Sequence, residues 1–216
     1  MCGITGIIYP HNSSEQIETK EFQESLRHRG PDSQGSFIND KAYLGHTRLA
    51  IIDLVNGSQP MESRNGRFKI VFNGEIYNFK LLARELQSKG YEFSTNSDTE
   101  VLLYSFQHWG KEMLDKIDGM FAFAWSSPDG EHWLVRDSFG KIPLYVAKTP
   151  TGYLWASERK AFPRGLKPIA VPPGHAFNLA TGEWLKWYHL PTHKTTSSSD
   201  VLALLKDGVD KRLAAD

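Results

Sequence analysis

Cys2 is the only cysteine in the chain and directly follows Met1. Removal of Met1 places a thiol and a free α-amine on one residue. A thiol with a pKa of roughly 8.5 is mostly protonated at neutral pH, whereas an α-amine titrates near roughly 7.7–8.0 and is partly unprotonated there. The amine can therefore take the thiol proton, so that nucleophile and general base share a residue. Methionine ahead of a small second residue is commonly excised, which makes this chemistry accessible. A retained Met1 would turn the base into a peptide nitrogen and crowd the sulfur. Position alone also suits a small buried hydrophobe in a first strand.

A thiolate attacking an amide or ester carbonyl needs donors aimed at the developing negative charge. Asn73-Gly74, after the apolar run Phe68-Lys69-Ile70-Val71-Phe72, offers a side-chain amide and an unhindered backbone N–H. The same dipeptide between hydrophobic runs is also a hairpin signal. Arg48, in His46-Thr47-Arg48-Leu49-Ala50-Ile51-Ile52-Asp53, is a cation in apolar sequence, suited to a bidentate grip on a carboxylate or to a local pair with Asp53. Asp98 can accept from an ammonium group or cap the helix that follows it. The eight histidines lack metal-ligand spacing and Cys2 has no partner cysteine, so no metal site is expected. Ser138-Phe139-Gly140-Lys141 lacks the spaced glycine and the following Ser/Thr of a phosphate-binding loop.

These residues need a scaffold. Residues 2–9 are β-branched and apolar and read as a buried strand, followed by a helix over 14–26. Residues 28–32 form a turn, and strands are expected at 34–38, 42–47 and 68–72, with an extended piece at 49–53. Asn78 can cap a helix over 79–89, and Asp98 one over 99–109, stopped by Gly90 and Gly110. Further strands fall at 121–126, 133–136, 144–147, 153–157, 175–178 and 183–188. Many strands around two central helices predict a layered α+β domain.

Lys plus Arg and Asp plus Glu both number 25, so no charge excess invites nucleic acid or anionic lipid. The apolar run at 4–9 is too short for a membrane span and lacks the basic flank of a secretory signal. With one cysteine there is no internal disulfide, in keeping with a reducing compartment. A soluble, cytoplasmic protein is expected. Residues 2–190 read as one domain and 191–199 as a Ser/Thr-rich linker. Residues 200–216 return to helix, capped by Asp200, with Leu202, Leu205, Val209 and Leu213 as an apolar stripe. That stripe either folds back or begins a further, truncated domain, the second being favoured.

The motifs fall together in one order: Cys2-Gly3-Ile4, then Arg27-His28-Arg29-Gly30-Pro31-Asp32, His46 to Asp53, Phe72-Asn73-Gly74-Glu75-Ile76-Tyr77-Asn78 and Ser97-Asp98-Thr99-Glu100. Asp118-Gly119-Met120-Phe121-Ala122-Phe123-Ala124, Arg136-Asp137, Gly140, Pro143-Leu144-Tyr145 and Ala156-Ser157-Glu158 continue it. This series resembles the N-terminal glutaminase domain of glutamine-dependent asparagine synthetases, which are class II amidotransferases of the N-terminal-nucleophile hydrolase type. The resemblance implies an α+β fold, a four-layer αββα sandwich of two antiparallel sheets between helical layers. It implies Cys2 as nucleophile, Asn73 and Gly74 as oxyanion hole, and Arg48 and Asp98 on the α-carboxylate and α-ammonium of L-glutamine. Ile51, Ile52 and Glu75 would complete the pocket.

The reaction implied is hydrolysis of glutamine through a γ-glutamyl thioester, with no cofactor. The ammonia would go to an ATP- and Mg²⁺-dependent synthetase domain or chain. The S-G-G-x-D-S loop of that domain does not occur in this sequence. Two other readings remain: a non-catalytic docking or regulatory module that binds a synthetase chain, and an N-terminal-nucleophile hydrolase for a different amide.

Overall fold

Alternating apolar residues and two amphipathic stretches assemble into two sheets with helices outside them. The computed structural model describes residues 1–9, 19–51, 53–190, 192 and 197–213. The strands are β1 (Gly3–Ile8), β2 (Ser33–Ile38), β3 (Ala42–Arg48), β4 (Met61–Glu62), β5 (Lys69–Ile76), β6 (Gly119–Ser126), β7 (His132–Arg136), β8 (Tyr145–Thr149), β9 (Gly152–Ala156), β10 (Ile169–Ala170), β11 (His175–Asn178) and β12 (Trp184–Lys186). The helices are α1 (Thr19–Glu24), α2 (Phe79–Ser88), α3 (Asp98–Trp109) and α4 (Ser198–Asp210). One six-stranded sheet has the order β10-β8-β9-β1-β3-β2 and the other β12-β11-β7-β6-β5-β4. All the recorded pairings are antiparallel.

Three apolar layers follow from the two-residue strand period. Between the sheets, Ile4, Ile8 and Leu44 face Val71, Ala122, Ala124 and Leu134. On the outer face of the second sheet, Ile70, Phe72, Phe121 and Trp125 pack against α2 and α3 through Leu82, Leu86, Val101, Leu102 and Phe106. Phe106 and Trp125 lie with ring centroids 4.0 Å apart. On the outer face of the first sheet, Ile7, Tyr43, Leu154 and Ala156 meet Phe22, Leu26 and Phe162. The order helix, sheet, sheet, helix is the expected four-layer α+β sandwich, with a slighter helical layer on the first sheet. Leu82 and Leu86 are fully enclosed, and truncating either to Ala would cost about 2–5 kcal/mol.

Several local expectations change. Asn73 and Gly74 lie inside β5, opposite Ala122 and Phe121, so the chain makes no hairpin there. Ser97, not Asp98, caps α3 by accepting from the Thr99 N–H, which leaves the Asp98 carboxylate to other work. Asn78 stands at the start of α2 without capping it, because its side chain bonds the Lys116 carbonyl and the Asp118 N–H instead. The piece expected to be extended at 49–53 leads into a turn, with Asp53 at φ 45°.

Of the helix expected over 14–26, residues 14–18 lie outside the described residues, and a 3-10 turn, Arg27–Arg29, follows α1. Most of the expected linker, residues 191 and 193–196, also lies outside them. α4 is capped by Ser197, with Asp200 completing a capping box three residues in rather than serving as the cap. Its apolar stripe, including Leu202, Leu205 and Val209, is exposed. Lys211, just past α4, pairs with Asp118 at 3.1 Å, and the Arg212 guanidinium lies 4.7 Å from the Tyr77 ring centre. Among the described residues no helix is long and apolar enough to cross a membrane.

Candidate active site

The start of β1, the end of β3, the interior of β5 and the start of α3 converge on one cavity. Seven of the eight residues singled out in the sequence line a single cavity there: Cys2, Arg48, Ile51, Asn73, Gly74, Glu75 and Asp98. The eighth, Ile52, lies outside the described residues. Met1 is also a wall of this cavity, whose free volume is about 60 Å³, less than an amino-acid amide requires. A larger cavity of about 660 Å³ lies across the turn at residues 53–56 and shares Ser97, but it contains no thiol. Size does not mark the chemistry here.

The Cys2 sulfur sits 3.4 Å from the Leu49 N–H, which donates to it, and 3.5 Å from the Leu49 carbonyl. Burial pushes the Cys2 thiol up, against the pull of the Leu49 amide, the nearby N-terminal charge and Arg48. A thiol held protonated in this way depends on a base for its activation. The Cys2 carbonyl accepts from Arg29 Nε at 2.9 Å.

Asn73 is 1% exposed, and its Nδ2 has no hydrogen-bond partner among the described residues. A buried donor left unsatisfied costs about 1–3 kcal/mol, so its persistence at a cavity wall marks a place where an acceptor belongs. Gly74 has φ 148°, and a Cβ there would lie 2.1 Å from the Met120 carbonyl oxygen on β6. Only glycine permits that approach. His46 of β3 reaches across to the second sheet, with Nε2 3.3 Å from the Phe72 carbonyl of β5. Burial pushes it down to about 3, so the ring is neutral and Nε2 donates.

Arg48 is buried and donates through Nη1 to the Leu54 carbonyl at 3.0 Å and through Nη2 to the Asp53 carbonyl at 2.6 Å. Its hydrogen bonds to Asp53 and Leu54 hold the turn at residues 53–56, which lines the larger neighbouring cavity. The Asp53 carboxylate latches the same turn, accepting from the Asn56 and Asn96 N–H groups at 2.9 Å each. Asp98, 4% exposed, accepts from the Ile76 N–H at 3.1 Å. Burial pushes its carboxyl up to about 7, against the Ile76 and Thr99 N–H groups that favour the charged form. That carboxyl therefore stands ready to ionise beside a cation.

Sequence reasoning missed Gln59, which lines the cavity and ties β5 to α3. Its Oε1 accepts from the Phe72 N–H at 2.6 Å and its Nε2 donates to Thr99 Oγ1 at 3.2 Å. A glutamine between Ser58 and Pro60 carries no pattern that would reveal this role.

A thiol at the start of a strand, an unsatisfied amide donor and two opposite charges around one cavity are the parts of an amide-cleaving site. The profile of the glutamine amidotransferase domain matches residues 1–177, and the chain belongs to that family. Asparagine synthetase B [glutamine-hydrolyzing] of Escherichia coli strain K12 is 35% identical over 228 residues, spanning 100% of this chain and 41% of that protein. Asparagine synthetase [glutamine-hydrolyzing] 1 of Bacillus subtilis strain 168 is 43% identical over 166 residues, spanning 74% of this chain and 26% of that protein. The chain thus spans about two-fifths or less of the length of these relatives. A solved structure of glutamine phosphoribosylpyrophosphate amidotransferase from B. subtilis, complexed with ADP and GMP, superposes with a TM-score of 0.73 at 26% identity. It covers 87% of this chain and 49% of its own. The motif resemblance to asparagine synthetases is thereby met by relatives of that name.

Proposed function

We propose that this domain hydrolyses L-glutamine to glutamate and ammonia, and that the ammonia feeds an ATP- and Mg²⁺-dependent synthetase domain of the asparagine synthetase type. The supporting observation is the gathering of Cys2, Asn73, Arg48 and Asp98 around one cavity. With Met1 removed, the Cys2 α-amine takes the thiol proton and the sulfur attacks the side-chain carbonyl carbon of glutamine. Negative charge develops on the carbonyl oxygen, which Asn73 Nδ2 and the Gly74 N–H receive. One such donor is typically worth about 10²–10³ in rate. The protonated amine passes its proton to the departing nitrogen, ammonia leaves, and a γ-glutamyl thioester remains. Water, deprotonated by the same amine, cleaves the thioester and returns the thiol.

Asp98 ionises to pair with the α-ammonium, and Arg48 holds the α-carboxylate. Ile51 and Glu75 close the pocket. A site that bonds both ends of an amino acid rejects analogues lacking either one. This half-reaction needs no cofactor. Residues 2–190 form the amidotransferase unit and α4, Ser198–Asp210, the opening helix of the synthetase part, with a linker before it, in a cytoplasmic enzyme. The exposed apolar stripe of α4 favours that division.

The test uses protein whose loss of Met1 is verified by intact mass. It should release glutamate from glutamine, and Cys2→Ala should abolish release with thermal unfolding unchanged. Activity surviving in Cys2→Ala would refute the mechanism. A Met1-free protein that stays inert would leave a docking module for a synthetase chain as the function.

A further inference from the structure

We propose that Glu158 is a positioning residue for the Cys2 nucleophile, acting through Arg29. The inference rests on the reading of Cys2 as nucleophile. Two sequence motifs, Arg27-His28-Arg29-Gly30-Pro31-Asp32 and Ala156-Ser157-Glu158, have no other role in the site, and the fold brings them together beside it. Arg29 Nε donates to the Cys2 carbonyl at 2.9 Å, and Arg29 Nη1 donates to Glu158 Oε1 at 2.8 Å. Nη2 of Arg29 is buried without a partner among the described residues. The orientation of the guanidinium is therefore set by the Cys2 carbonyl at one edge and Glu158 at the other.

Glu158 itself stands on a fixed base. The preceding residue, Ser157, accepts from the Ile4 N–H through Oγ at 3.0 Å and donates its own N–H to the Ile4 carbonyl at 2.9 Å. These bonds continue the β1–β9 ladder, so Glu158 is in register with the beginning of β1. His28 Nε2 and Lys160 Nζ approach the same carboxylate at 3.0 and 3.5 Å. Their side chains are 48% and 57% exposed, against 11% for Arg29, so solvent competes for them.

The need for such a hold follows from the chemistry. Once Met1 is gone, Cys2 becomes a chain end, and chain ends fray unless tied down. Fixing the Cys2 carbonyl fixes rotation about the Cys2 Cα–C bond, and with it where amine and sulfur stand relative to Asn73. A misplacement of about 1 Å at a reacting group costs on the order of 10² in rate. Arg29 supplies the hold, and Glu158 keeps Arg29 from swinging away.

Glu158→Gln tests this, since it keeps an oxygen for Arg29 Nη1 but removes the charge that strengthens the bond. In the Met1-free chain, kcat for glutamine should fall by about tenfold or more with KM within about twofold. Alkylation of Cys2 by iodoacetamide, which needs no glutamine binding, should slow in parallel, with the unfolding midpoint unchanged. Arg29→Lys should reproduce both effects, because one ammonium cannot span the Cys2 carbonyl and Glu158 in the same planar geometry. Lys160→Ala should stay within about twofold of the parent.

Parental kcat and alkylation rate in Glu158→Gln would overturn the inference. So would a lowered unfolding midpoint with kcat and KM worsening together, since that is the signature of a structural ion pair. If the parent hydrolyses no glutamine, the proposed function fails, while the alkylation comparison still decides the role of Glu158.

Discussion

Asp98→Asn should make the protein more stable while destroying its activity, and the size of the gain should depend on pH. The carboxyl is pushed up from 3.8 to about 7 by burial at the start of α3. At about 1.4 kcal/mol per pH unit, ionising it in the folded chain costs up to about 4 kcal/mol. Below pH 3.8 the group is protonated in folded and unfolded chains alike. Between there and about 7 only the unfolded chain gives up its proton, so this group lowers folding stability as pH rises. Above that the folded group ionises as well and the loss levels off. Asparagine never ionises and still offers an oxygen to the Ile76 N–H. The variant should therefore exceed the parent in urea unfolding, with a gap that widens by about 2–3 kcal/mol between pH 5 and pH 8. Tryptophan fluorescence suits the measurement, since Trp125, Trp133 and Trp155 are buried. Glutamine hydrolysis should be lost, because nothing remains to pair the α-ammonium. A gap that stays constant with pH, or a variant weaker at pH 8, would refute the premise that the site keeps an ionisation penalty in reserve for its substrate.

Arg48→Ala should raise the KM for glutamine far more than it lowers kcat, because a carboxylate grip acts alike on ground and transition states. The same variant should speed amide hydrogen exchange at Asn56, whose turn Arg48 helps hold through the Asp53 and Leu54 carbonyls; unchanged exchange would separate the two roles. Gly74→Ala should cost about 2–4 kcal/mol in stability, since its Cβ would strike the Met120 carbonyl and its φ suits glycine. Unfolding at parental denaturant concentration would show that β5 and β6 can move apart.

The secondary structure was readable where periodicity was strong. α2 and α3 and most strands fall within a few residues of their expected bounds, since each buries one regular face. Local polar chemistry was harder to read. Ser97 and Asp98 are both good caps by type, and only the approach of the Ile76 N–H decides which one is free for the cavity. Asn73-Gly74 reads as a hairpin until β6 is seen passing alongside and demanding a glycine for close approach. The cavity residues Cys2, Arg48, Asn73 and Asp98 were found through motifs in sequence order. The bond between Arg29 and Glu158 spans 129 positions and depends on the β1–β9 register, which no local pattern records. Gln59 was invisible for the same reason.

β1 lies inside its sheet, flanked by β3 and β9, and this sets a timetable for making the enzyme. Its second edge cannot close until residues 152–156 leave the ribosome, about 140 residues after β1 itself is made. At 5–20 residues per second that interval lasts about 7–30 s. Throughout it β1 can pair with β3 alone, so its first residues are held on one edge only and stay open to an aminopeptidase. In the folded chain Met1 lines the cavity beside Cys2 while 48% of it stays exposed, so a polypeptide that keeps it carries an acylated Cys2 nitrogen in place of a free amine.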